Sequence, residues 1–159
     1  AIFDLLYFIF TGGIALFVTS RIEESLQARR GQKDIILQKI DEVDSRIKNL
    51  ESNFQCDNDR YTIGNTALLM QIKQFGMLAT QYEKSISKYY PDMTKDEQYH
   101  KISSARKLVR ICTVDDDAAR AVCNDDKWTY SADKFVEIIT ELNRLSQICF
   151  TNKLLLNKA

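Results

Sequence analysis

The chain opens on an apolar run, Ile2 to Thr19 (IFDLLYFIFTGGIALFVT), whose one charge is Asp4. Coiled as a helix, this run spans about 27 Å, close to the ~30 Å of a bilayer's hydrocarbon core. It is apolar around its whole circumference, whereas a core helix usually keeps a polar edge. The pattern therefore predicts a transmembrane or filament-core helix over 1–20.

A 3–4 spacing starts inside this run and continues beyond it: Leu5, Phe8, Gly12, Ala15, Thr19, Ile22, Leu26, Arg29, Lys33, Ile36, Ile40, Val43, Ile47, Leu50 and Phe54. That stripe predicts an amphipathic, coiled-coil-like stalk over 21–54, with the whole helix about 80 Å long. Gly12, Ala15 and Thr19 are small enough for close backbone approach. Ile36, Ile40, Val43, Ile47, Leu50 and Phe54 supply the apolar a and d positions. With Ile40 and Ile47 at a, Lys39 and Arg46 at g face Asp44 and Glu51 at e in a parallel pair. These residues together predict an oligomer seam and a parallel homo-oligomer. Packing of the same stripe on the chain's own later helices is the competing expectation.

Residues 55–159 predict a small helical bundle, so the expected fold class is all-α. QCDNDRYTIG (55–64) reads as a turn. A helix follows with Leu68, Ile72, Phe75, Ala79, Tyr82, Ile86 and Tyr89 on one face, ended by Pro91. Thr94-Lys95-Asp96-Glu97 reads as a capping box opening another helix, with Ile102, Ala105, Val109 and Cys112 inward. Asn124-Asp125-Asp126 reads as a turn, and Ser131 caps a last helix carrying Phe135, Ile138, Leu142, Leu145 and Cys149. No period-two alternation lasts long enough to predict a sheet.

Composition then narrows the chemistry. With 22 Lys+Arg against 22 Asp+Glu, the chain has no net charge for gripping nucleic acid by counterion release. Lys and Arg cluster after the apolar run, which favours a cytoplasmic head. Four cysteines, Cys56, Cys112, Cys123 and Cys149, favour an extra-cytoplasmic one, with Cys112–Cys123 and Cys56–Cys149 as candidate disulfides. The balance tips slightly to a single-pass membrane protein with an extra-cytoplasmic head.

No phosphate loop, zinc spacing or nucleophile motif is present. Asp57-Asn58-Asp59 starts like a calcium loop but lacks its Gly and closing Glu, and His100 is the single histidine. No cofactor or metal is expected. Asp115, Asp116, Asp117 and Trp128 are candidate partner contacts. The sequence thus predicts a non-enzymatic, single-pass membrane-anchored assembly subunit. Its expected partners are membrane lipid, further copies of itself and other subunits of a membrane complex, with no nucleic acid.

A long apolar-then-amphipathic helix before a globular head is similar to the body plan of type IV pilins over the first 54 residues. Leu5 stands where that family carries an acidic residue and the head reads helical, so the family is not adopted; a filament subunit with a buried apolar helix is the alternative. A signalling protein with a helical sensor head is the other.

Overall fold

In the computed structural model of the chain, the described residues are 2–102, 105–114 and 121–159, with side chains described from Leu16 onward. The order of elements is α1 (Ile2–Ser52), β1 (Gln55–Asp57), β2 (Arg60–Gly64), α2 (Asn65–Tyr89), α3 (Arg106–Thr113), β3 (Ala121–Asn124), β4 (Lys127–Ser131) and α4 (Ala132–Lys158), with a short 3₁₀ turn at Met93–Lys95. Contacts divide the chain into two units, residues 1–35 and 36–159.

The second unit is mostly helical, but it contains a four-stranded antiparallel sheet in the order β1-β2-β4-β3, which corrects the all-α expectation. Residues 55–64 form a hairpin rather than a plain turn, and residues 121–131 form a second. Each hairpin turns on two residues in the left-handed region, Asn58 (φ 48°) with Asp59 (60°), and Asp125 (47°) with Asp126 (59°). Paired left-handed residues make the tight turn that matches strand twist, and Asn and Asp tolerate it best after Gly.

The two hairpins are copies of one pattern at a constant offset. Cys56, Asn58, Asp59, Arg60, Tyr61 and Thr62 match Cys123, Asp125, Asp126, Lys127, Trp128 and Thr129. Each hairpin leads directly into a long helix, α2 or α4. The strands β2 and β4 pair with Thr62 opposite Thr129, Arg60 opposite Ser131 and Gly64 opposite Lys127. This register maps one repeat onto the other about a pseudo-twofold axis at the two threonines. The unit is an internally duplicated hairpin–helix module.

Tyr61, Ile63, Trp128 and Tyr130 share the face of the sheet turned towards the helices, because Tyr61 pairs with Tyr130 and Ile63 with Trp128. Behind them lies one core built from Leu68, Ile72, Phe75, Ala79, Tyr82 and Ile86 of α2 and Ile138, Leu142, Leu145 and Cys149 of α4. Tyr61 stacks on Phe135 at 3.8 Å between centroids, which ties the first hairpin to α4. Burying these side chains is the main stabilising term of the unit.

α2 ends at Tyr89, immediately before Tyr90 and Pro91, as expected. The helix expected at Thr94 does not form. The Thr94 hydroxyl donates to the Pro91 carbonyl at 2.7 Å and Asp96 accepts from the Gln98 amide at 2.8 Å, so these groups close local turns instead of capping. Helix α3 starts only at Arg106. The segment between is held by buried polar groups: Glu83 Oε1 accepts from the Ile102 amide at 2.6 Å, and Asn152 Nδ2 donates to the His100 carbonyl at 2.9 Å. Ser131 does cap α4, accepting from the Lys134 amide at 3.3 Å.

Among the described residues no helix is long and apolar enough to cross a membrane. This corrects the single-pass membrane assignment and the extra-cytoplasmic placing that depended on it. The physical reason is visible in the described part of α1, where Arg21, Glu23, Glu24, Arg29, Arg30, Lys33 and Asp34 interrupt the apolar positions within two turns of Leu16 and repeatedly thereafter. The apolar side chains before Leu16 lie outside the described ones.

Candidate functional site

The expected oligomer seam divides into two stretches with different fates. Ile36, Ile40, Val43, Ile47 and Leu50 are buried in the core of the second unit. They are covered by the chain's own helices, which corrects their reading as an intermolecular seam. The flanking charges are used inside the chain too. Asp44 takes Lys48 at 2.6 Å and the Ser146 hydroxyl of α4, while Arg46 pairs with Glu42 at 3.1 Å and donates to Gln74 of α2 at 3.0 Å. Lys153 of α4 reaches Asp41. Phe54 is half-buried, with its ring 5.9 Å from Tyr130 and 5.2 Å from Phe135.

The stretch in the first unit is different. Val18, Ile22 and Leu26 are 48 %, 54 % and 48 % exposed, and Thr19 is exposed beside them. Spaced three and four residues apart, they form one apolar stripe along α1. Gly12 and Ala15, the small residues of the same stripe, lie outside the described side chains. Arg21 stays on another face, pairing with Glu24 at 3.7 Å and lying over the Phe17 ring.

The expected partner contacts fare unevenly. Trp128 is only 4 % exposed, and its indole Nε1 donates to Asn65 Oδ1 at 2.8 Å. It is a core residue of the sheet, which corrects its assignment as an exposed anchor. Asp115, Asp116 and Asp117 lie outside the described residues.

Neither expected disulfide, Cys112–Cys123 or Cys56–Cys149, is formed, which corrects the disulfide expectation. Each proposed pair joins an exposed thiol on an edge strand, Cys56 or Cys123, to one buried in helix packing, Cys149 or Cys112. Burial pushes the Cys112 and Cys149 thiols up to about 12 and raises the Tyr82 and Tyr130 hydroxyls as well. A raised folded-state value means that the fold accommodates the protonated thiol. That stabilisation is whole below the unfolded value of 9.0 and is lost as pH rises through about 12. Alkaline unfolding is therefore expected across this window, followed by circular dichroism. At neutral pH a thiol reagent should modify Cys56 and Cys123 promptly, and Cys112 and Cys149 only after denaturation. Fast labelling of all four in the native protein would contradict the burial.

A hollow of about 550 Å³ opens on the outer face of the sheet, lined by Asp59, Arg60, Asn124, Thr129, Ser131 and Asp133 among others. It follows from a broken symmetry between the repeats. The turn at Asp126 sits on the start of α2: its carbonyl accepts from the Asn65 amide at 2.8 Å and its carboxylate from the Thr66 hydroxyl at 3.0 Å. The matching positions at the start of α4 are Ala132 and Asp133, which have no side-chain donor to offer Asp59. Among the described residues no group of three His, Cys, Asp or Glu side chains is placed to hold a metal ion.

One buried carboxylate is fully accounted for by structure. Glu141, 3 % exposed, accepts from Arg144 at 2.6 Å and pairs with Lys107 of α3 at 3.3 Å. Burial pushes its pKa up, but Arg144 and Lys107 outweigh that and hold the carboxyl below its usual value. It fastens α3 to α4.

No protein-family profile matches the chain, and neither a curated protein nor a solved structure is significantly similar to it. What the geometry offers is a duplicated hairpin–helix module and an uncovered apolar stripe on the helix of the other unit.

Proposed function

We propose that the chain is a non-enzymatic assembly subunit that associates with further copies of itself through the N-terminal part of α1, with the duplicated module as its head. The observation that carries this reading is the stripe of Val18, Ile22 and Leu26, about half exposed in the single chain. Apolar side chains at helical spacing gain by burial against a matching helix, roughly 25 cal/mol per Å² covered. In sequence the stripe continues the apolar and small positions that precede it.

Replacing both Ile22 and Leu26 by Glu tests the reading. The full chain should sediment as an oligomer and the double variant as a monomer. The urea midpoint of the helical module should stay unchanged, because neither residue belongs to its core. A full chain that is already monomeric at tens of micromolar, or a variant with unaltered mass, overturns the proposal. Masses that grow with concentration, without a fixed stoichiometry, support the filament form of the same reading.

A further inference from the structure

The geometry points to a partner copy that lies antiparallel on this stripe, an inference that rests on the self-association proposed above. The case for a parallel pair came from Lys39, Asp44, Arg46 and Glu51. Asp44 and Arg46 are occupied within the chain, and the apolar residues of that stretch, Ile40, Val43, Ile47 and Leu50, are buried in its core. Among the described side chains, orientation is then set by residues 18–33, the stretch that carries the uncovered stripe.

In the heptad that puts Leu26 and Lys33 at a, Ile22 and Arg29 fall at d, Glu23 and Arg30 at e, and Val18 and Ser25 at g. A parallel pair sets each e residue against a g residue of its partner, so Glu23 meets the partner's Val18 and Arg30 meets the partner's Ser25. It also sets Arg29 and Lys33 against their own copies along the seam. Both features work against association.

An antiparallel pair sets e against e. Glu23 then meets the partner's Arg30, and Arg30 meets the partner's Glu23, two opposite-charge contacts related by the twofold. The same register packs Leu26 on the partner's Ile22 twice and places Arg29 beside the partner's Thr19. The cationic residues are thereby separated along the axis instead of stacked. Glu23 and Arg30 are both exposed, while neighbouring Glu24 is engaged by Arg21. Charge complementarity and apolar register thus select one orientation of a second copy.

Charge reversal in the full chain tests this. Glu23→Arg alone and Arg30→Glu alone should each weaken association on the order of ten-fold in sedimentation equilibrium, because each creates two like-charge contacts. The double variant, Glu23→Arg with Arg30→Glu, should return to within a few-fold of the parent. A second measurement uses Arg29→Cys in a chain with Cys56→Ser and Cys123→Ser. Antiparallel partners hold these thiols about 15 Å apart along the axis, so mild oxidation should give no disulfide-linked dimer.

An oligomer indifferent to both single reversals, or one that links through residue 29, overturns the antiparallel arrangement while leaving self-association standing. A parent chain that is monomeric throughout overturns both.

Discussion

Ile47→Ala in the full chain is expected to lower the free energy of unfolding by about 2–5 kcal/mol while leaving the oligomeric mass unchanged. Ile47 is 1 % exposed and belongs to one cluster with Ile40, Val43 and Leu50 of α1 and with residues of α2 and α4. Truncation removes three carbons from a site whose neighbours are anchored by three long helices, so relaxation into the gap is limited. The resulting cost contains both the lost transfer energy and the cavity. Urea unfolding followed by helical ellipticity measures the first quantity and light scattering after gel filtration the second. The contrast with Ile22 and Leu26 is the informative part. The same residue type at the same spacing along one helix should govern stability at one end and association at the other. A variant of normal stability that loses its oligomer would reassign Ile47 to an intermolecular seam.

Tyr130→Ala should cost about 3–5 kcal/mol, the range for removing a large aromatic from a core. Tyr130 is fully buried at the centre of the sheet, paired with Tyr61 on one side and Ala121 on the other. Its ring lies 5.9 Å from that of Trp128, nearly parallel to it, and 5.9 Å from that of Phe54. The hydroxyl donates to the Cys112 carbonyl at 2.6 Å, joining β4 to α3. Tyr130→Phe keeps the ring and strands that carbonyl, and should cost only about 1–3 kcal/mol. Equal losses for the two variants in thermal or urea unfolding would show that the hydrogen bond, not the packing, dominates.

Much of the helical framework was legible from spacing alone. Of the predicted face on α2, Leu68, Ile72, Phe75, Ala79, Tyr82 and Ile86 are buried and Tyr89 at its end is exposed; of that on α4, Ile138, Leu142, Leu145 and Cys149 are buried and Phe135 is half-buried. A run of three turns or more with one apolar face has few ways to fold other than as a helix laid on a core. Pro91 and Ser131 marked ends because each acts on its own backbone neighbourhood.

The sheet was not legible because its strands are three to five residues long. Two inward residues per strand, Tyr61 with Ile63 and Trp128 with Tyr130, do not establish a period. The signal that could have found it was repetition: Cys-x-x-Asp followed by a basic residue, an aromatic and Thr, present at both Cys56 and Cys123. The Asn58-Asp59 and Asp125-Asp126 pairs then mark hairpin turns. The Thr94 capping box misled because its hydroxyl and the nearby Asp96 found closer backbone partners in a 3₁₀ turn.

The assignment of residues 1–20 to a membrane rested on the length of the apolar run and its apolar circumference, and no described helix of the protein meets the requirement of length and apolarity for crossing one. The candidate site was half legible. The stripe was read as one continuous edge, and its split between core and open surface was invisible, since a sequence does not say which neighbour covers an apolar side chain.

The order of amino acids by itself therefore determined where the long helices run, which face of each is apolar, and that α2 stops before Pro91. These follow from local sterics, capping chemistry and the 3.6-residue period. Tertiary structure alone decided that two short hairpins meet about a pseudo-twofold axis, that Cys112 and Cys149 are buried while Cys56 and Cys123 are exposed, and that Ile36 to Leu50 are covered from within while Val18 to Leu26 are not. Those outcomes depend on which segments distant in sequence come together, and burial energy is indifferent to whether the covering atoms belong to the same chain or another.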